Sequence, residues 1–173
     1  MAVVIGIYVL SFVGAFVQLA REDRPRTAGR VAGVVLLWFL VVGMGLSGLY
    51  SFMGHTFAAD QVARGPGWPT GNPFQYEVAV ANLTVGVLGI LCYWVRGGFW
   101  TATVISTSVW LGGEAVVHVV EIVTAGNRSP GNAGIALYLD LLTPVLLIGL
   151  WIVHKLGSDQ VGATQAERAP RVA

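Results

Sequence analysis

The stretch Glu114-Ala-Val-Val-His118-Val-Val-Glu121 carries three ionisable side chains at i, i+4 and i+7. In a helix, at roughly 100° per residue, these three share one face. They interrupt a mostly apolar run from Trp100 to Ala125, which is long enough to cross a bilayer. Charged groups inside such a segment are expensive to place, and they mark a site before they mark a scaffold. Carboxylates flanking an imidazole support two kinds of chemistry. They can ligate a transition metal, or they can pass protons as general acid and base.

Other apolar segments contribute Glu77, Asn82 and Asp140, and His55 stands at the end of one. Four carboxylates (Glu77, Glu114, Glu121, Asp140) with no Lys or Arg at the same depth need protons or bound cations to persist in a low-dielectric interior. With His55 and His118 they form the ligand inventory of a carboxylate-bridged dimetal centre in a helix bundle. The spacing departs from the usual pattern. Soluble dimetal bundles use Glu-x-x-His twice, whereas this chain has Glu-x-x-x-His and His-x-x-Glu once. In this reading His118, Glu121, Glu77 and Asp140 form the reacting core. His55 is a further metal ligand, and Glu114 and Asn82 assist in binding the cofactor. Iron, manganese or zinc would then support redox chemistry on a membrane-associated small molecule. The same residues without a metal make an acid–base enzyme or proton relay acting on a lipid or quinone. A third reading is structural, with Glu, His, Asn and Thr joining helices in a non-catalytic subunit, as a homo-oligomer or inside a larger membrane complex.

The composition sets the medium. Of 173 residues 55% are hydrophobic and 11% charged, against about 25% charged in a soluble domain. The mean hydropathy is +0.70. The bilayer is therefore the first partner. The net charge of +1 comes without a basic patch interleaved with aromatics, so nucleic acid is not expected. The single cysteine, Cys92, excludes thiol–disulfide chemistry within one chain.

The pattern predicts an all-α bundle of five membrane-crossing helices over residues 1–156, with a disordered tail over 157–173. The first segment runs from Val3 to Ala20. It lacks a preceding positive region and reads as a retained span. The second runs from Val31 to Met53. A polar loop, Gly54 to Asn72, contains the turn-rich Gly65-Pro-Gly-Trp-Pro69. The third segment starts at Asn72 as N-cap, with Pro73 first in the helix and Gln75 completing a capping box, and ends near Trp94. Arg96-Gly-Gly98 is a tight turn, which makes the third and fourth segments antiparallel neighbours. The fifth runs from Asn132 to Val153, with Pro144 inside it. Gly43, Gly45, Gly48, Gly86 and Gly89 permit close helix packing.

Odd–even alternation of five spans puts Arg21, Arg24, Arg26, Arg30, Arg96, Lys155, Arg168 and Arg171 at one end, and only Arg64 and Arg128 at the other. The positive-inside rule then predicts an outer N-terminus and a cytoplasmic C-terminus. It also puts Glu77, Glu114, His118, Glu121 and Asp140 together in the outer half.

Three stretches carry a family likeness: Gly71-Asn-Pro-Phe-Gln-Tyr-Glu77 through Ala81-Asn-Leu83, Arg96-Gly-Gly-Phe-Trp100, and Pro130-Gly-Asn-Ala-Gly134 through Tyr138-Leu-Asp140. Together they resemble a family of uncharacterised bacterial integral membrane proteins, distantly similar to the DoxX-like four-helix membrane proteins. The resemblance covers Gly54 to Gly149. It implies a compact multi-pass bundle in the bacterial cytoplasmic membrane, with the first span additional to a four-helix core. The DoxX analogy implies a respiratory or redox accessory role.

Overall fold

The computed structural model describes the backbone of residues 1–168 and the side chains of residues 1–158. The order is α1 (Ala2–Arg21), α2 (Ala28–Trp38), a π-helical segment (Phe39–Met44), α3 (Gly45–Phe57), α4 (Ala59–Arg64), α5 (Phe74–Leu91), α6 (Gly98–Ala125) and α7 (Ile135–Arg168). Among the described residues there is no strand. Five helices are long and apolar enough to cross a membrane: Ala2–Arg21, Ala28–Phe57, Phe74–Leu91, Gly98–Ala125 and Ile135–Ser158. The second of these joins α2, the π segment and α3 into one continuous rod.

Local chemistry sets the ends. Thr27 caps α2, its hydroxyl accepting from Arg30 N at 3.3 Å. Gly126 closes α6 in the left-handed conformation, φ 64°, which glycine adopts without strain. At the start of α5, Asn72 Oδ1 accepts from Phe74 N at 2.9 Å. The expected capping box does not form there, because the Gln75 side chain turns inward to His55 instead. The expected Gly54–Asn72 loop includes the last turn of α3 and the short helix α4. The tail expected to be disordered from Gly157 continues α7 as far as Arg168. A helix already nucleated by its membrane span extends cheaply through Ala, Gln, Glu and Arg. Residues 169–173 of that tail lie outside the described residues.

The long rod is the hub. α2 packs on α7, α3 on α5, and α1 lies along α2 and the π segment. The α3–α5 seam is closed by glycine. A Cβ on Gly48 would meet Gly86 N at 2.6 Å and Asn82 O at 2.7 Å, and one on Gly89 would meet Leu40 O at 2.6 Å. The backbones therefore touch, as the glycine pattern predicted. The core comprises Leu36, Phe39, Leu40, Met44, Val85, Trp100, Val104 and Leu147. Trp100 lies in that core, donating Nε1–H to Cys92 O at 2.9 Å. One neighbour relation also differs. α6 follows α5 through a tight turn but makes its main seam with α7.

Candidate functional site

The centre of the α6–α7 seam is His118, buried at 8% exposure. Its two ring nitrogens have different partners. Nδ1 lies 2.7 Å from Asn132 Oδ1. The Asn132 amide is oriented by its own donors, since Nδ2 reaches Asn127 O at 2.9 Å and His118 O at 3.3 Å. Oδ1 is therefore the atom facing the ring, and His118 Nδ1 carries the hydrogen that it accepts. The tautomer is thereby set, and Nε2 is the nitrogen left for chemistry. Nε2 faces Asp140 Oδ2 at 3.6 Å.

The loop between α4 and α5 covers the ring. Trp68 stacks on the imidazole with centroids 5.8 Å apart and planes 17° apart. Its loop is tied down by Asn127, whose Nδ2 donates to Pro66 O at 2.8 Å. Gly131 lies where a Cβ would collide with the Gly65–Pro66 backbone. Gly67, with φ 80°, occupies a turn that favours glycine. The two turn-rich loops thus interlock over His118.

Below the imidazole the polar set continues onto α1. Tyr8 Oη and Thr143 Oγ1 are hydrogen-bonded at 3.2 Å, and Thr143 lies one turn beyond Asp140 on α7. Glu114, half-buried, lies within electrostatic reach of both Tyr8 and Asp140. Further along α6, Thr107 Oγ1, Ser108 Oγ and Trp110 Nε1 are buried with no hydrogen-bond partner among the described residues. They extend the polar stripe toward the middle of the bundle. A groove of about 350 Å³ opens between α1 and α7 beside these groups, lined by Tyr8, Phe39, Leu142, Thr143 and Leu146.

The structure brings together His118, Asp140 and Glu114. It does not bring in the rest of the expected set. Glu77 is exposed on α5, whose inward positions are taken by Gln75, Val78, Ala79 and Asn82. His55 belongs to the α3–α5 seam, with Nδ1 2.7 Å from Gln75 Oε1. Asn82 bonds back to Val78 O at 3.0 Å within α5. Glu121 lies at the rim, with Oε2 3.4 Å from Asn127 Nδ2. Among the described residues no three His, Cys, Asp or Glu side chains are grouped closely enough to hold a metal ion. The metal set of Glu77, His118, Glu121, Asp140 and His55 is therefore corrected. Its members are divided between two seams and the exposed surface.

Asn132, Trp68, Tyr8 and Thr143 are site members that residue chemistry alone did not select. Their nearest signals were the Gly65-Pro-Gly-Trp-Pro69 and Pro130-Gly-Asn-Ala-Gly134 stretches, whose glycines indicated tight turns without saying that the turns meet.

No curated protein matches this chain, and no solved structure does. A protein-family model does match it, over residues 1–160, and the chain belongs to that family, a family of unknown function (DUF6790).

Proposed function

We propose that this member of a family without an assigned activity is a multi-pass membrane protein built around an acid–base centre, His118–Asp140, that exchanges protons with a lipid- or quinone-like molecule. One observation carries the reading: the Asn132 amide commits His118 Nδ1–H, so Nε2 is the ring atom that meets Asp140. A neutral Nε2 lone pair facing an ionised carboxylate would be repulsive. The arrangement is favourable when the pair holds one further proton, on Nε2 or on Oδ2. That proton is the transferable one. It passes from whichever of the two atoms holds it to an oxygen of the ligand, and the ligand's released proton returns to the same pair. The groove beside Tyr8 and Thr143 supports lateral approach from the bilayer, and the Tyr8 hydroxyl is placed to bond a carbonyl or hydroxyl head. Trp68 and its loop keep bulk water from the imidazole, which strengthens each polar contact below it.

The setting in this reading is the bacterial cytoplasmic membrane. The basic end, with eight of the ten Lys and Arg residues, faces the cytoplasm, and the site lies in the outer half.

Difference infrared spectroscopy of the purified protein in lipid nanodiscs tests the proposal. A pH jump is expected to produce a carboxyl band that Asp140→Asn removes and His118→Gln displaces. A band indifferent to both substitutions would overturn the reading. So would stoichiometric iron, manganese or zinc lost on His118→Ala, which would favour redox chemistry at a metal.

A further inference from the structure

A second groove, of about 730 Å³, lies between α2 and α7, adjoining the first at Val145 and Leu146 and running toward Arg26 at the basic end of the molecule. Its walls are Val31 and Val35 of α2 against Leu146, Gly149 and Val153 of α7, and Arg26 lines its mouth. From Ala28 to Val35 the α2 wall covers roughly 10 Å at 1.5 Å per residue. That length is most of one leaflet's hydrocarbon depth.

Two features distinguish this groove from an ordinary lipid-facing surface. The first is charge. The turn between α1 and α2 carries Arg21, Arg24, Arg26 and Arg30 against Glu22 and Asp23. Glu22 is ion-paired with Arg30. Among the described residues Arg26 makes no ion pair, and it donates to Leu19 O at 3.3 Å, which positions its guanidinium at the mouth. The second is Gly149. A Cβ there would meet nothing within 4 Å, so close packing does not require glycine, and its small size keeps the groove open.

We infer that this groove binds an anionic phospholipid, with the phosphate on Arg26 and one acyl chain between α2 and α7. An apolar channel with an arginine at its mouth complements a molecule that has an anionic head and a hydrocarbon tail, and the Arg fork matches phosphate oxygens. The inference does not rest on the acid–base reading or on which side of the membrane is cytoplasmic.

The test uses the full chain purified in detergent and titrated with phosphatidylglycerol or phosphatidylcholine, with bound lipid counted by native mass spectrometry. One phosphatidylglycerol per chain is expected, held in preference to phosphatidylcholine. Arg26→Gln should weaken it roughly fivefold, as expected for one arginine near a lipid surface. Gly149→Leu projects into open space, so its thermal unfolding should stay near wild type while the lipid is lost. Equal retention of the two lipids, or undiminished phosphatidylglycerol on a folded Gly149→Leu chain, would overturn the inference. A chain that dimerises with the groove occupied by its own second copy would overturn it as well.

Discussion

The α3–α5 seam and the α6–α7 seam each hold a histidine, half-buried in the first and buried in the second, and they treat it differently. Around His55 the helices are drawn together by glycines until backbone meets backbone, and the ring has one neutral partner, Gln75. Around His118 the helices are held apart by side chains. The ring has an amide on one nitrogen and a carboxylate on the other, and an aromatic lid covers it. The first histidine joins helices. The second has a defined tautomer and a partner able to take or give a proton. The separation lies in whether the second nitrogen faces an ionisable group.

The contrast can be broken at several points. The largest effect is expected in the glycine seam. Gly48→Leu would drive a side chain into the α5 backbone and should cost about 3 kcal/mol or more, read as lost monodisperse protein and a collapsed thermal transition. Asn132→Ala comes next. It leaves His118 Nδ1–H and two carbonyls without their partner and should cost about 1–3 kcal/mol. It should also displace the Asp140 infrared band, because the ring is no longer held in one tautomer. His55→Ala should cost only about 1 kcal/mol, the worth of one interhelical bond, and leave that band unchanged. A change in the band on His55→Ala would merge the two seams into one functional unit and end the distinction. The smallest effect is expected at Gly112→Ala on α6, where a Cβ meets nothing within 4 Å. Its transition should hold or rise slightly, by up to about 1 kcal/mol, from helix propensity alone.

These outcomes also mark what the sequence could convey. The five long helices were legible because mean hydropathy falls sharply at the Arg21–Arg30, Gly54–Asn72, Arg96–Gly98 and Gly126–Gly131 breaks. Rotation about the helix axis was not. In a soluble helix polar residues mark the outer face, but here lipid and core are equally apolar, and the pattern gives no phase. Glu77 therefore points out of the bundle, with Gln75 and Asn82 turned inward. Asp140 succeeded where Glu77 failed because α7 packs along α6 and α5 barely touches it. The interlock of the two loops was illegible for a different reason. Asn127 and Gly131 make contacts across more than sixty residues of chain and Trp68 across fifty, and no local pattern encodes such a meeting.

The π-helical segment Phe39–Met44 has a consequence for how this chain can tolerate change. A turn closed i to i+5 takes up one residue more than an α turn. Every side chain after it is therefore rotated by about 100° from where an unbroken helix would put it. The segment acts as a phase shifter in the rod, directing the face of α2 at α7 and the glycine face of α3 at α5. Removing a single residue between Phe39 and Met44 would preserve composition, hydropathy and span length almost unchanged. It would still turn Gly45 and Gly48 away from Gly86 and Gly89. Length changes at this point are therefore felt as rotations of half the molecule, and an alignment of relatives that shifts a gap into the segment would misassign every contact that follows it.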